Sequence, residues 1–173
     1  AAGAPEPGRA RTDALIAFTD TLTHRAGAWR PALKTARNLF AQPVLDAQAE
    51  RWTAQDSGRF VASYDQVALM AMPELENATD GNAWLQRLAR AALALPGASE
   101  RIVFELQASD LRASDGRGAH PVATDTLVAR VRLLQSLGAR HLGYYPDDFL
   151  HDQPALAAMR RVISASDFPY PKP

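Results

Sequence analysis

The chain has 173 residues, 47% of them hydrophobic, which suits one folded domain and is too apolar for a disordered segment. Its 19 basic and 19 acidic residues cancel, so no overall field attracts nucleic acid and any charge selectivity must be local. The absence of cysteine excludes disulfides, thiolate metal sites and a cysteine nucleophile.

The first residues are small and proline-rich, and they lack the charged-then-apolar order of a signal peptide. We expect residues 1–11 to be a flexible arm or the cut end of a longer chain, followed by one folded unit over residues 12–173. Thr12 is placed to cap a first helix that ends near Gly27. No apolar run approaches the ~18 residues of a membrane span, so we expect no transmembrane segment.

Four apolar segments have the length and composition of β-strands, and helical patterns separate them. The predicted strands are residues 34–40, 67–72, 101–107 and 140–145. The later predicted helices are residues 46–63 with a break near Gly58, residues 80–95 capped by Asp80 or Asn82, residues 124–137 capped by Thr124, and a short helix capped by Asp152 with Pro154 early in it. The second strand is almost wholly apolar, which is typical of a parallel strand buried on both faces. Trp29, Trp52 and Trp84 fall on helical stretches and are predicted to pack, Trp52 together with Phe60 and Tyr64.

The strands start 33, 34 and 39 residues apart, close to the roughly 31 residues per unit of a (β/α)8 barrel. Alternating strands and helices form a parallel sheet with right-handed crossovers. The sequence therefore predicts an α/β fold, the second half of a (β/α)-barrel-like domain with four parallel strands alternating with helices. Because both sheet edges are open, we expect the N-terminal half of the same domain to be a partner, as a separate chain or an absent segment. A small, self-contained doubly wound sheet is the alternative, although no glycine-rich phosphate loop follows a strand.

In such folds ligands bind at the carboxyl ends of the strands. The residues predicted there are Arg37 and Asn38, Met70, Met72, Glu74 and Glu76, Glu105, Gln107 and Asp110, and Tyr144, Tyr145, Asp147 and Asp148. Tyrosine faces stack on sugar rings, and carboxylates accept sugar hydroxyls, hold a cationic amine or transfer protons. The pattern indicates a carbohydrate site, and its surplus of acids favours a cationic sugar.

Several of these residues also have purely structural interpretations. Glu105 either binds a ligand or pairs with Arg37, because a lone carboxylate among apolar strand residues is costly. The two methionines fit the core or the floor of a pocket. Glu74 and Glu76 are alternatively solvated loop charges, and Pro146 with two aspartates is also ordinary turn chemistry.

Other chemistries have no support in the sequence. The four histidines are far apart and show no metal-ligand spacing, so we expect no metal and no cofactor. There is no Gly-x-Ser-x-Gly elbow for a serine nucleophile.

Four segments together resemble one family: KTARNLFAQPV (34–44), MAMP (70–73), FELQ (104–107) and GYYPDDFL (143–150). They resemble the C-terminal domain of the periplasmic poly-β-1,6-N-acetylglucosamine N-deacetylases of the PgaB/BpsB type. The segments occur in the family's order, and the resemblance runs from about Thr12 to the C-terminus. The pair Asp110-Leu111 departs from it, because a polar–aromatic pair is expected there.

The resemblance implies a protein of the Gram-negative biofilm export pathway, periplasmic and associated with the outer membrane. In that family a metal-dependent N-terminal domain removes acetyl groups. The C-terminal barrel-like domain binds the partially deacetylated polymer and, in the glycoside hydrolase branch, cuts it internally. This chain lacks the deacetylase motifs, and the family's cleavage aspartate is expected upstream of Ala1. Its catalytic residue is therefore unassigned, and its residues are expected to grip an aminosugar polysaccharide.

Three functions remain open from the sequence. The first is endo-hydrolysis of partially deacetylated poly-β-1,6-N-acetylglucosamine together with the missing half of the domain. The second is a non-catalytic polysaccharide-binding module of the deacetylase. The third is a self-contained α/β enzyme acting on a small molecule.

Overall fold

The computed structural model describes residues 6–110 and 120–163. Its helices are α1 (Pro7–Gly27), α2 (Gln42–Leu45), α3 (Glu50–Thr53), α4 (Ser57–Ser63), α5 (Gly81–Leu93), α6 (Ala98–Arg101), α7 (Thr124–Ser136) and α8 (Leu156–Ile163). Its strands are β1 (Ala36–Leu39), β2 (Gln66–Ala71), β3 (Ile102–Gln107), β4 (Ser109–Asp110), β5 (His120–Pro121) and β6 (His141–Tyr145). All four predicted strands are present; three are shorter than expected by one to three residues, and the second has the expected length but begins one residue earlier.

The strands β1, β2, β3 and β6 form one parallel sheet in that order. Because the strand order follows the chain and parallel crossovers are right-handed, the connecting helices lie on the same face of the sheet. A doubly wound sheet instead reverses its strand order and carries helices on both faces. The alternative is therefore excluded, and the predicted succession of barrel units is confirmed.

Burial alternates along the strands. In β2, Val67, Leu69 and Ala71 are buried, whereas Ala68 and Met70 between them are partly exposed. We call the side of Val67 and Leu69 the covered face and the side of Met70 the open face. The prediction that this strand is buried on both faces is wrong, because the described residues cover the open face only in part.

The core lies between the covered face and the helices. Its fully buried side chains include Leu39, Leu69, Phe104 and Leu106 from the strands, Leu85 and Leu88 from α5, and Leu127 and Leu134 from α7. Burying one such side chain contributes about 1.5–3 kcal/mol. This packing fixes the sheet on which the candidate site is built.

Side-chain caps start two helices as their sequences indicate. The Asp80 carboxylate accepts the backbone N–H of Ala83 at 2.9 Å at the start of α5. The Asp152 carboxylate accepts the backbone N–H of Leu156 at 2.8 Å at the start of α8. Pro154 precedes α8 and does not lie in its first turn.

Two other predicted caps are wrong. Helix α1 begins at Pro7, because proline is tolerated in a first turn, so residues 7–11 are helical and not an arm. Thr12 is buried inside that helix, where its hydroxyl donates to Glu50 Oε1 at 2.7 Å. The hydroxyl of Thr124 does not cap α7; it accepts the backbone N–H of Ala155 at 3.0 Å.

The tryptophans do not share one role. Trp84 is buried against the core, as are Phe60 and Tyr64, which confirms their predicted packing. Trp29 and Trp52 are 89% and 61% exposed, so the packing role predicted for them is wrong. Both lie at short or terminal helical turns whose outer side faces solvent. Leu111 and the tail from Phe168 lie outside the described residues.

Candidate functional site

The carboxyl ends of the four parallel strands meet along one edge of the sheet, which we call the rim. Neighbouring strands pair Met70 with Glu105 and Glu105 with Gly143, while Gln107 pairs with Tyr145. Side chains that alternate along a strand point to opposite faces. Met70, Glu105 and Tyr145 therefore lie on the open face, and Asn38, paired with Ala68, lies there too.

Two predicted site residues belong to the other side. Arg37 pairs with Val67, and Tyr144 pairs with Leu106, which places both on the covered face. Tyr144 packs against the hydrophobic core, so it supports the strand end from behind. Arg37 and Glu105 are two strands apart and on opposite faces, so the ion pair proposed between them is wrong.

Glu105 is a half-buried carboxylate near the centre of the open face. Burial raises its pKa above the ordinary value, because the charged form loses hydration. The structure gives its carboxylate no hydrogen bond or ion pair to another described residue. It is therefore ready to accept a ligand's ammonium or hydroxyl, or a proton.

Gln107 and Met72 are structural parts of the rim. Gln107 is only 1% exposed, and its amide oxygen accepts the backbone N–H of Leu75 at 2.9 Å. Its amide nitrogen donates to the backbone oxygen of Ser109 at 2.7 Å. Met72 is also buried, which fits either the core or the floor of a pocket. Gln107 thus ties the loop after β2 to the end of β3.

That loop carries two carboxylates in different states. The carboxylate of Glu74 accepts hydrogen bonds from both terminal nitrogens of Arg130, whose side chain is buried on α7. The carboxylate of Glu76 accepts a hydrogen bond from Gln42 Nε2 at 3.3 Å. The same glutamine accepts a hydrogen bond at its Oε1 from the indole N–H of Trp52, also at 3.3 Å. Glu74 is thus neutralised within the protein, whereas Glu76 belongs to an exposed relay that holds an indole ring at the rim.

Sequence reasoning missed Trp52, Gln42 and Arg130. Gln42 comes shortly after the end of a predicted strand. The rule that ligands bind at the carboxyl ends of strands, which selected the other rim residues, could therefore have selected Gln42 as well. No sequence signal separates an exposed tryptophan on a short helix from a buried one. Arg130 lies far along the chain from Glu74, so only the fold brings them together.

The segment after β6 is organised by two aspartates. Burial of the Tyr144 ring, and next the charge of Asp147, raises the pKa of Tyr144. Asp148 Oδ2 lies 2.7 Å from His151 Nδ1, and this contact lowers the pKa of Asp148. Tyr145 remains 57% exposed beside them. The rim therefore offers an exposed tyrosine next to an aspartate, while Asp148 is committed to His151.

No metal site is built from the described residues: none of them form a group of three or more His, Asp or Glu side chains that fits a metal ion. Over the same ranges, no helix has both the length and the apolar character needed to cross a membrane. Asp110 lies in the small antiparallel pair β4–β5, opposite His120.

The chain is similar to known proteins over most of its length. It is 38% identical over 164 residues to the poly-beta-1,6-N-acetyl-D-glucosamine N-deacetylase of Escherichia coli K12, and equally to that of Escherichia coli O157:H7. These matches cover 93% of this chain and 24% of each relative. The solved PgaB (BpsB) glycoside hydrolase domain from Bordetella bronchiseptica superposes with a TM-score of 0.84 at 41% identity.

The superposition covers 91% of this chain and 43% of that domain, so the chain spans less than half of it. The family resemblance inferred from the four sequence segments is confirmed by these matches. The family model described as hypothetical glycosyl hydrolase family 13 matches residues 6–145. With four barrel units and a carboxylate-and-aromatic rim at their carboxyl ends, the chain belongs to that glycosyl hydrolase family.

Proposed function

We propose that this chain forms part of a glycoside hydrolase domain that binds partially deacetylated poly-β-1,6-N-acetylglucosamine. The observation that carries the proposal is the half-buried carboxylate of Glu105, which has no partner among the described residues, on an open face whose rim exposes Tyr145 and Trp52. The E. coli relatives are named for that polymer, and the Bordetella domain for glycoside hydrolysis.

The chemistry of the rim suits an aminosugar. A deacetylated glucosamine unit carries an ammonium, and carboxylates bind ammonium through charge-assisted hydrogen bonds. We assign this role to Glu105, Glu76 and Asp147. Tyr145 and Trp52 supply flat apolar faces on which sugar rings stack.

Glu74 and Asp148 take a different part in the proposal. Their carboxylates are held by Arg130 and His151, so they shape the rim and contact the polymer only at its margin. Arg37, Tyr144, Gln107 and Met72 likewise support the residues that bind.

Cleavage requires the complete domain in this proposal. Glycosidases pair two carboxyl groups, one as acid and one as base or nucleophile. We assign the cleavage aspartate to the remainder of the domain, which also pairs with the edges of β1 and β6. We place the protein in the periplasm, associated with the outer membrane, and we assign no cofactor to this domain.

The test compares variants of the complete domain on glucosamine-containing oligomers. E105Q and Y145A are expected to weaken binding at least tenfold and to slow chain shortening, measured by calorimetry and by product length. E100Q is the matched control, because Glu100 is exposed and pairs with Arg140 at the amino end of the sheet. Unchanged affinity in both rim variants would contradict the assignment.

A non-catalytic binding module is the second candidate. The pairing of Glu74 and Asp148 within the protein favours it, because fewer rim carboxylates remain free for acid–base work. If the complete domain binds the oligomers but never shortens them, this candidate replaces the hydrolase.

A further inference from the structure

We propose that Gly143 is a specificity-determining residue, because its missing side chain gives a glucosamine unit access to Glu105 on the open face. The role rests on the proposed function, in which Glu105 receives the ammonium of that unit. Gly143 in β6 lies directly opposite Glu105 in β3. On the other flank of Glu105, β2 places the side chain of Met70 opposite it. Glu105 is therefore bordered by a side chain on one flank and by bare backbone on the other, and we call the space above that backbone the gap.

The backbone conformation does not require a glycine at this position. The φ angle of Gly143 lies outside the left-handed region that favours glycine. The register between β3 and β6 runs without interruption from Val103 opposite His141 to Gln107 opposite Tyr145, so β6 has no bulge at Gly143. A left-handed turn and a bulge are two usual reasons for a glycine inside a strand, and neither applies here.

Packing within the described part of the chain does not require a glycine either. Apart from the chain neighbours of Gly143, only one described atom lies within 4 Å of a Cβ built there, Val103 Cγ1 at 3.9 Å. That distance is an ordinary van der Waals contact, so an alanine would fit. A glycine also weakens a strand, because it loses more conformational freedom on folding and packs no side chain. The remaining usual reason is the close approach of a ligand or of another backbone.

The surroundings of the gap favour a ligand over another backbone. The half-buried carboxylate of Glu105 has no partner among the described residues, and covering it with an uncharged polypeptide would be costly. A glucosamine unit brings an ammonium that pairs with it. Tyr145 is 57% exposed on the same face, about 6.6 Å further along the strand at the usual rise per residue. A sugar ring stacked on Tyr145 therefore lies beside the gap, and its ammonium can reach Glu105 over Gly143.

The test compares G143A and G143V with wild type in the complete glycoside hydrolase domain. G143A is expected to keep a melting temperature at or above that of wild type, because the methyl group fits and the unfolded chain loses freedom. Calorimetry should show affinity for glucosamine oligomers falling about threefold to tenfold in G143A and further in G143V. G27A is the matched control, because its added methyl group meets no described atom beyond the adjoining helix backbone and chain neighbours. It should bind as wild type does.

A double-mutant cycle separates lost access to Glu105 from a general disturbance of the rim. If the gap admits the ammonium to Glu105, G143V should weaken binding much less in an E105Q background than in wild type. The preference for glucosamine oligomers over fully acetylated ones should also fall in G143V, because the acetylated oligomers carry no ammonium. A disturbance of the strand would instead lower both affinities alike.

Three outcomes would overturn this role of Gly143. The first is wild-type affinity in G143V while E105Q and Y145A bind weakly. The second is a lowered melting temperature in G143A, because packing in the complete domain would then fill the gap. The third is an equal loss of affinity from G143V in the wild-type and E105Q backgrounds. Wild-type affinity in both E105Q and Y145A would overturn the proposed function itself, and the role of Gly143 with it.

Discussion

The guanidinium of Arg130 binds both carboxylate oxygens of Glu74, which joins α7 to the loop after β2. The Arg130 side chain is buried, and that of Glu74 is three-quarters covered. Gly81 permits this approach, because a Cβ there would lie 3.0 Å from Arg130 Nη2. The pair fixes the loop that carries Glu76, so it supports the rim.

Removal of Arg130 is expected to destabilise the fold. In R130A the Glu74 carboxylate loses its cationic partner while remaining largely buried, which costs about 3 kcal/mol for a pair of this burial. Urea unfolding should show the loss, and the melting temperature should fall by about 6–12 °C. R132A, on the exposed side of the same helix, is the control and should stay within about 0.5 kcal/mol of wild type. Equal stability of the two variants would contradict a structural role for the pair.

The relay from Trp52 through Gln42 to Glu76 gives a prediction on binding. Both of its hydrogen bonds are 3.3 Å long and exposed, so Q42A should change stability little. It should nevertheless weaken binding of glucosamine oligomers about threefold to tenfold, because the indole ring and the carboxylate lose their common support. Calorimetry on the complete domain measures this effect. Q48A, an exposed glutamine nearby, should bind as wild type does, and a Q42A affinity equal to it would exclude the relay from the site.

Sequence patterns predicted the strands and the rim because both follow from local rules. Apolar runs indicate where buried strands occur. Because ligands bind at the carboxyl ends of such strands, Glu105 and Tyr145 can then be selected without any distance information. The side on which a residue lies depends on strand register, which short apolar runs leave open. For this reason Arg37 and Tyr144 were predicted at the rim, although their side chains belong to the covered face.

Tertiary packing decided the remaining differences. Thr12 has the chemistry of a helix cap, but contact with Glu50 draws it into the interior of α1. Trp52 looks like a packing residue, yet α3 is too short to bury it, and a side-chain amide orients the ring instead. Such contacts join residues far apart in sequence, so neither composition nor periodicity contains them.

The pKa of Glu105 predicts a pH-dependent stability. Burial raises the pKa of Glu105 above its ordinary value of 4.5, so the native state resists ionisation. For an acid raised in this way, the favourable contribution is complete below the unfolded pKa and is lost as pH rises through the folded pKa. E105Q should therefore be more stable than wild type at pH 7, and the difference should shrink as the pH falls through the raised folded pKa toward the ordinary value of 4.5. Melting curves across this range measure it; a wild type more stable than E105Q at pH 7 would contradict the burial argument.

Two glycines of α1 form a matched pair for stability. A Cβ on Gly8 would lie 2.8 Å from Arg51 Cα and 2.9 Å from the backbone oxygen of Glu50, so α1 and α3 would have to separate. G8A is expected to cost about 1–3 kcal/mol, the usual range for overpacking. G27A is the control, because no other described part of the chain, apart from the adjoining helix backbone and the neighbouring residues, lies within 4 Å of its added methyl group. Chemical unfolding compares them, and a G8A variant as stable as G27A would show that the two helices do not pack this closely.

The lowered pKa of Asp65 predicts that the protein loses stability in acid. Hydrogen bonds from the Thr35 backbone and hydroxyl, and then from Lys34, lower its pKa from 3.8 to about 2. For an acid lowered in this way, the stabilisation is complete above 3.8 and disappears as pH falls through about 2. D65N should therefore be less stable than wild type above pH 4, and the two unfolding curves should converge toward pH 2. A D65N curve that stays parallel to wild type would mean that Thr35 and Lys34 do not hold the ionised carboxylate.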